Sequence, residues 1–76
     1  MARHPIPRPS ILDGFEPLGL IYGERRWRDA RGRLYTWDGR HGELELYTPR
    51  GRHLGAVDPV TGYVLKPAVE GRRIRV

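Results

Sequence analysis

The sequence predicts a mainly β domain: a small, strongly twisted antiparallel sheet of five to six short strands, preceded by an extended N-terminal arm with at most a short helix. From residue 24 onward, short runs rich in β-branched and aromatic residues alternate with Gly or Pro turns at roughly ten-residue spacing, the pattern of an antiparallel meander. Pro5, Pro7, Pro9 and Pro17 fall within the first 23 residues, where each keeps the preceding residue out of the helical region. The chain has 76 residues with 10 Gly, 7 Pro and no Cys, which gives one thin-cored domain with neither a disulfide framework nor a thiolate metal site.

Residues 1–23 read as a proline-rich arm and residues 24–76 as the body. Residues 3–10 are expected to run extended. Ser10 caps a short turn through Ile11, Leu12 and Phe15, which Gly14 and Pro17 stop. Phe15, Leu18, Leu20, Ile21 and Tyr22 are then expected to strap one end of the sheet, with a partner-binding arm as the other reading. Strands are expected at 25–28, 33–37, 43–47, 53–57 and 63–66, with 73–76 as the candidate sixth. The joints at 29–32, 38–40, 49–51 and 58–62 each carry Gly or Pro where turn dihedrals demand it. Twist and partial curling would protect the sheet edges. No apolar run approaches the ~20 residues of a membrane span, and residues 1–5 lack the apolar stretch of a signal peptide.

Lys and Arg total 14 against 9 Asp and Glu, a net charge of +5. Arg3 and Arg8 are balanced by Asp13 and Glu16, so the whole surplus lies in the body. An anionic partner follows, nucleic acid or an acidic protein, and charge alone does not separate the two. The groups expected to face RNA phosphates are Arg25, Arg26, Arg28, Arg31, Arg33, Arg40, Arg50, Arg52 and Lys66.

The chemistry concentrates in Tyr35-Thr36-Trp37-Asp38-Gly39-Arg40-His41-Gly42-Glu43-Leu44-Glu45-Leu46-Tyr47. Side chains alternate faces along a strand, so Glu43, Glu45 and Tyr47 share one face while Leu44 and Leu46 take the other. His41 has the parity of the glutamates, and Asp38 ends the preceding strand. RNA cleavage needs a base for the 2′-hydroxyl, an acid for the departing 5′-oxygen and a cation for charge growing on phosphorus; carboxylate, imidazole and guanidinium suit those tasks. Clustered carboxylates raise the pKa of one another, and an adjacent carboxylate favours imidazolium. The same alternation of Glu and Leu also describes a half-solvated strand, and parity does not decide between the two. His-x-Glu suggests a metal, but His4, His41 and His53 form no zinc spacing, so neither a metal nor another cofactor is expected. His53, ahead of Leu54-Gly55, reads as a hydrogen-bonded structural histidine. Ser10, in the arm, cannot support a serine-hydrolase triad.

These residues resemble the C-terminal cytotoxic domain of the ribosome-inactivating colicins and cloacin, bacteriocin ribonucleases that cut small-subunit ribosomal RNA at the decoding site. The resemblance runs from Arg25-Arg26-Trp27 through Tyr35-x-Trp37-Asp38-x-x-His41-Gly42-Glu43-Leu44-Glu45-x-Tyr47 and Gly51-x-His53-Leu54-Gly55-x-x-Asp58-Pro59-x-Thr61-Gly62-x-x-Leu65-Lys66 to Arg72-x-Ile74. It implies Glu45 as general base, His41 as general acid, Asp38 as the group that orients His41, and Arg72 as the transition-state cation. Glu43 would support the site, and Arg73 rivals Arg72, because the turn at 48–51 is shorter and the segment at 67–71 differs from the family's. It further implies 16S ribosomal RNA on the ribosome as target, with transfer RNA left open. An acidic immunity or antitoxin protein would be the inhibitor, and the free chain a monomer acting in the bacterial cytoplasm without inserting into a membrane. With 23 residues ahead of the resemblance, the chain is expected to be either the toxic domain of a longer secreted toxin or a free-standing intracellular toxin. A noncatalytic basic β-domain binding RNA or an acidic protein is the other reading of the same residues.

Overall fold

The computed structural model describes residues 3–76; Met1 and Ala2, which open the expected arm, lie outside the described residues. Six antiparallel strands form one sheet in which every strand pairs with its sequence neighbour. They are β1 (Glu16–Ile21), β2 (Glu24–Arg28), β3 (Leu34–Asp38), β4 (Glu43–Tyr47), β5 (His53–Val57) and β6 (Val64–Pro67). A single 3-10 turn, Ile11–Gly14, is the helical element among the described residues, so none of them forms a helix long and apolar enough to cross a membrane. Ser10 caps that turn: its hydroxyl accepts from the Leu12 N–H, and Asp13 accepts from the Ser10 N–H in return.

Three of the hairpins are closed by the same device, an aspartate whose carboxylate accepts backbone N–H groups of the turn that follows it. Asp29 Oδ1 takes the N–H groups of Arg31 and Arg33, Asp38 Oδ1 those of Arg40 and His41, and Asp58 Oδ1 those of Val60 and Thr61. Asp29 also accepts from Arg33 Nε at 2.8 Å and from the buried Tyr35 hydroxyl at 2.9 Å. Burial pushes the Asp29 carboxyl up, but those hydrogen bonds outweigh it and hold it below its ordinary value. The same contact leaves Tyr35, chiefly through burial, pushed up to about 12.

Five expected strands appear within one residue of their expected bounds, and two expectations fail. The stretch expected to be a strap is strand β1, paired with β2 from Glu16 opposite Arg28 to Ile21 opposite Glu24. Pro17 fits this strand because β1 is an edge strand, where a missing ladder donor is tolerated, and the register shifts between Pro17 and Gly19. Leu20 and Tyr22 are 73% and 68% exposed and do not join the core; the Arg75 guanidinium lies 5.5 Å over the Tyr22 ring. At the other end, the expected strand 73–76 is reduced to one bridge between Arg52 and Arg73. Beyond it the chain leaves the ladder, and the Arg75 carbonyl accepts from Arg26 instead, at 2.7 Å.

The apolar face of the sheet carries the core: Leu44, Leu46, Trp27, Tyr35 and Val57, with Leu12 from the 3-10 turn. Ile6, Ile11, Phe15 and Trp37 pack against it, so the arm does cover the sheet, through the expected Phe15 together with Ile6 and Ile11. The opposite face is closed by the C-terminal segment, whose Ile74 N–H bonds the Gly51 carbonyl at 2.9 Å while the His53 N–H bonds the Arg72 carbonyl at 3.0 Å. Gly51 has φ +87, and a Cβ there would run into the Ile74 carbonyl, so only glycine lets this segment dock. All five residues of β4 are therefore buried, which removes the half-solvated strand as a description of Glu43 and Glu45.

Candidate active site

Strand pairing sets one polar row across the sheet. Arg26 lies opposite Thr36, Thr36 opposite Glu45, Glu45 opposite Ala56 and Ala56 opposite Lys66. Asp38 faces Glu43 in the next pair along β3 and β4. Because residues i and i+2 of a strand share a face, this register gathers Glu43, Glu45 and Tyr47 with Thr36 and Asp38 while Leu44 enters the core.

His41 stands on the turn between β3 and β4, and its Nδ1 lies 2.7 Å from Asp38 Oδ2. With Asp38 ionised, Nδ1 carries a proton and donates, which leaves Nε2 directed away from the pair. Burial raises the Asp38 carboxyl, but the His41 ring and the backbone N–H groups of His41 and Arg40 overcome this and hold it below its ordinary value.

Glu45 is buried at 7% exposure yet is not left among aliphatic side chains. His53 Nδ1 accepts from the Val69 N–H at 2.9 Å, so its proton is on Nε2, which donates to Glu45 Oε1 at 2.7 Å. An Arg72 guanidinium nitrogen sits 3.6 Å from the same oxygen. Both contacts fall on Oε1, and Oε2 is left to accept a proton. His53 is thus the hydrogen-bonded structural histidine the sequence implied, with Glu45 as the partner the sequence did not disclose. Tyr47 rests edge-on against His53, ring centroids 5.3 Å apart, and burial raises its hydroxyl pKa. Glu43 pairs with Lys66 at 2.6 Å, a contact that raises the lysine pKa.

Asp38, His41, Glu45 and Arg72 all line a pocket of about 150 Å³ and also a wider adjoining cleft of about 350 Å³. Three separated stretches of chain meet there. Arg73, the rival of Arg72, is exposed, forms a backbone bridge with Arg52 and lines neither cavity. Glu43 and Lys66 line the smaller pocket. Tyr47 and Thr36 line the wider one, and neither was singled out for it; the parity that gathered the glutamates already pointed to Tyr47, whereas Thr36 needed the register.

The expected phosphate-facing cations divide. Arg26 is buried, 4% exposed; its Nη1 donates to the Arg75 carbonyl while its Nε is buried without a partner among the described residues. Arg28 is paired with Glu16 at 2.7 Å and Arg33 with Asp29 at 2.8 Å. Arg25 lies 4.9 Å over the Trp27 ring. Arg31, Arg40, Arg50 and Arg52 are exposed and have no ion-pair partner among the described residues. Ligand atoms of Asp38, His41 and Glu43 come within 4.8 Å of one another, a set that could hold a cation; it contains the His-x-Glu spacing of the sequence, to which the fold adds Asp38.

The fold and site define a small antiparallel β domain with a carboxylate, imidazole and guanidinium cleft. Comparison with known proteins agrees: the model of the Cytotoxic family matches residues 22–75, and the chain belongs to that family. Colicin E3 of Escherichia coli is 47% identical over 84 aligned residues, covering 95% of this chain and 15% of that protein. Colicin-E6 of Escherichia coli is 46% identical with the same coverage, and cloacin of Escherichia coli is 46% identical over 52 residues, 66% of this chain and 9% of cloacin. The chain spans 15% or less of the length of these curated relatives.

Proposed function

We propose that this chain is the ribonuclease unit of a colicin-like toxin, cutting 16S ribosomal RNA at the decoding site and so arresting translation. The observation that carries the reading is the convergence of Asp38, His41, Glu45 and Arg72 on one cleft in the buried polar face of the sheet. Glu45 Oε2 removes the proton from a 2′-hydroxyl, and the resulting oxygen attacks the adjacent phosphorus. The Arg72 guanidinium stabilises the charge that builds on the nonbridging oxygens. His41 Nε2–H, held by Asp38 through Nδ1, gives its proton to the departing 5′-oxygen. The P–O5′ bond breaks, leaving a 2′,3′-cyclic phosphate and a free 5′-hydroxyl. His53 holds Glu45 Oε1 and has no part in the proton transfers.

No metal ion enters these steps. Within the Asp38, His41 and Glu43 set, His41 Nδ1 faces Asp38 and Glu43 Oε1 pairs with Lys66, contacts that supply the charge balance without an ion. The +5 charge supports fast association with the ribosome and with an acidic immunity or antitoxin protein, since steering by opposite charge raises on-rates. The family membership supports delivery into the target cytoplasm as part of a longer secreted toxin.

Purified ribosomes treated with the protein, with the 3′ ends of the 16S and transfer RNAs then mapped, test the reading. The expected result is one 16S cut near the decoding site, ending in a cyclic phosphate and unaffected by chelator. Intact 16S RNA would refute the function, a transfer RNA cut would move the substrate, and chelator inhibition would bring the Asp38, His41 and Glu43 set into the mechanism.

A further inference from the structure

The N-terminal arm does more than cover the core, because its first described residues abut the turn that carries His41. The His4 N–H donates to the Gly39 carbonyl at 2.7 Å, and the His4 carbonyl accepts from the Trp37 indole Nε1–H at 3.1 Å. The His4 ring lies against Gly42, where an added Cβ would come within 3.1 Å of it. Gly42 has φ +69, so this turn relies on glycine both for its backbone conformation and for the arm's approach.

Those contacts fix the residue before His4. Arg3 Cβ would lie 3.6 Å from a Cβ at Gly39, and the Arg3 side chain lines the 350 Å³ cleft beside Asp38, His41, Glu45 and Arg72. Arg40 stands on the same wall, and Glu24 is the remaining carboxylate there. Arg3 is exposed and has no ion-pair partner among the described residues. The cleft continues outward from the smaller pocket that would hold the scissile phosphate, and an RNA strand laid along it brings its next phosphate to this wall. A guanidinium is the side chain best matched to phosphate oxygens, through its planar fork of donors.

We propose that Arg3 binds the phosphate of a nucleotide flanking the scissile bond, which makes the arm part of the substrate site. The inference rests on the RNA-cleaving reading of this cleft. Arg8 supplies the control: it is exposed on the same arm and lines a different cavity, beside Trp27 and over the core.

The test compares wild type, Arg3→Ala, Arg3→Lys and Arg8→Ala for cleavage of purified ribosomes, and for binding of a short single-stranded RNA oligonucleotide between low and moderate salt. Arg3→Ala should raise KM about fivefold with kcat nearly unchanged, Arg3→Lys should recover most of that, and Arg8→Ala should match wild type. The logarithmic salt slope of oligonucleotide binding should fall by about 0.7 for Arg3→Ala alone, the loss of one single-strand phosphate contact. Equal KM and equal slope in Arg3→Ala and wild type would overturn the proposal, as would an equal loss in Arg8→Ala, which would reduce the effect to net charge. If the wild-type protein left ribosomes intact, the cleavage reading would fall separately, and the slope comparison between Arg3→Ala and Arg8→Ala would still decide the role of Arg3.

Discussion

On one face of the sheet Leu44, Leu46, Trp27, Tyr35 and Val57 pack against the 3-10 turn and the arm. On the other, Glu43, Glu45, Thr36 and His53 are buried just as deeply beneath the C-terminal segment. The first face stabilises the fold through apolar area removed from water, which is non-directional and tolerates changes of shape. The second holds charges that would be costly to bury alone, and its carboxylates have partners: Glu43 has Lys66, Glu45 has His53 and Arg72, and Asp38 has His41. Alternation along β4 serves both faces at once. The difference teaches that the polar groups are held in place by directional pairs, whereas the apolar face holds the sheet through area buried from water.

The comparison breaks most visibly at Leu44, which is fully buried between the two faces' neighbours. Leu44→Ala should cost about 3 kcal/mol in denaturant unfolding, more than a hundredfold in the folding equilibrium, and activity should fall only as the folded fraction falls. Asp29→Ala comes next, since it strips partners from two turn N–H groups, Arg33 and the buried Tyr35 hydroxyl; about 2 kcal/mol is expected by the same measurement. Its pH dependence sharpens the point. The folded-state pKa of Asp29 lies below the ordinary 3.8, so its contribution is complete above 3.8 and is lost as the pH falls through the lowered folded value. Wild-type stability should drop in that acid range, and Asp29→Ala should flatten the drop; an unchanged slope would remove Asp29 from the account. Smallest of all, Leu20→Ala on the exposed edge strand should stay within about 0.5 kcal/mol of wild type in thermal unfolding.

The apolar face was readable because its signal is local. Alternation in β4 named Leu44 and Leu46, and the Gly and Asp turns delimited five strands to within one residue. Ser10 as a cap was equally visible. Strand β1 was missed because the prolines of the first 23 residues read as an extended arm, and a sequence does not say which extended stretch pairs as an edge strand, where proline is tolerated. The C-terminal strand failed for the opposite reason: residues 73–76 look like a strand, but the Arg75 carbonyl is taken by Arg26 rather than by a ladder. The polar face was half legible. Asp38, His41, Glu43 and Glu45 declared themselves through parity and the motif they form. The partnership of His53 with Glu45 depends on the register between β4 and β5, and the burial of Arg26 on a distant carbonyl; neither leaves a trace in local pattern. Arg72 and Arg73, adjacent in sequence, differ only in the fold: Arg72 lies 3.6 Å from Glu45 and lines both cavities, whereas Arg73 bridges to Arg52 and lines neither.

The central claim is that the polar face performs acid and base catalysis while contributing little that the fold cannot lose. The most direct measurement is the ribosome-cleavage rate of His41→Ala and Glu45→Gln beside their thermal unfolding. The account predicts a rate loss of roughly a hundredfold or more in each, with cooperative unfolding retained. Wild-type rates in either folded variant would contradict it.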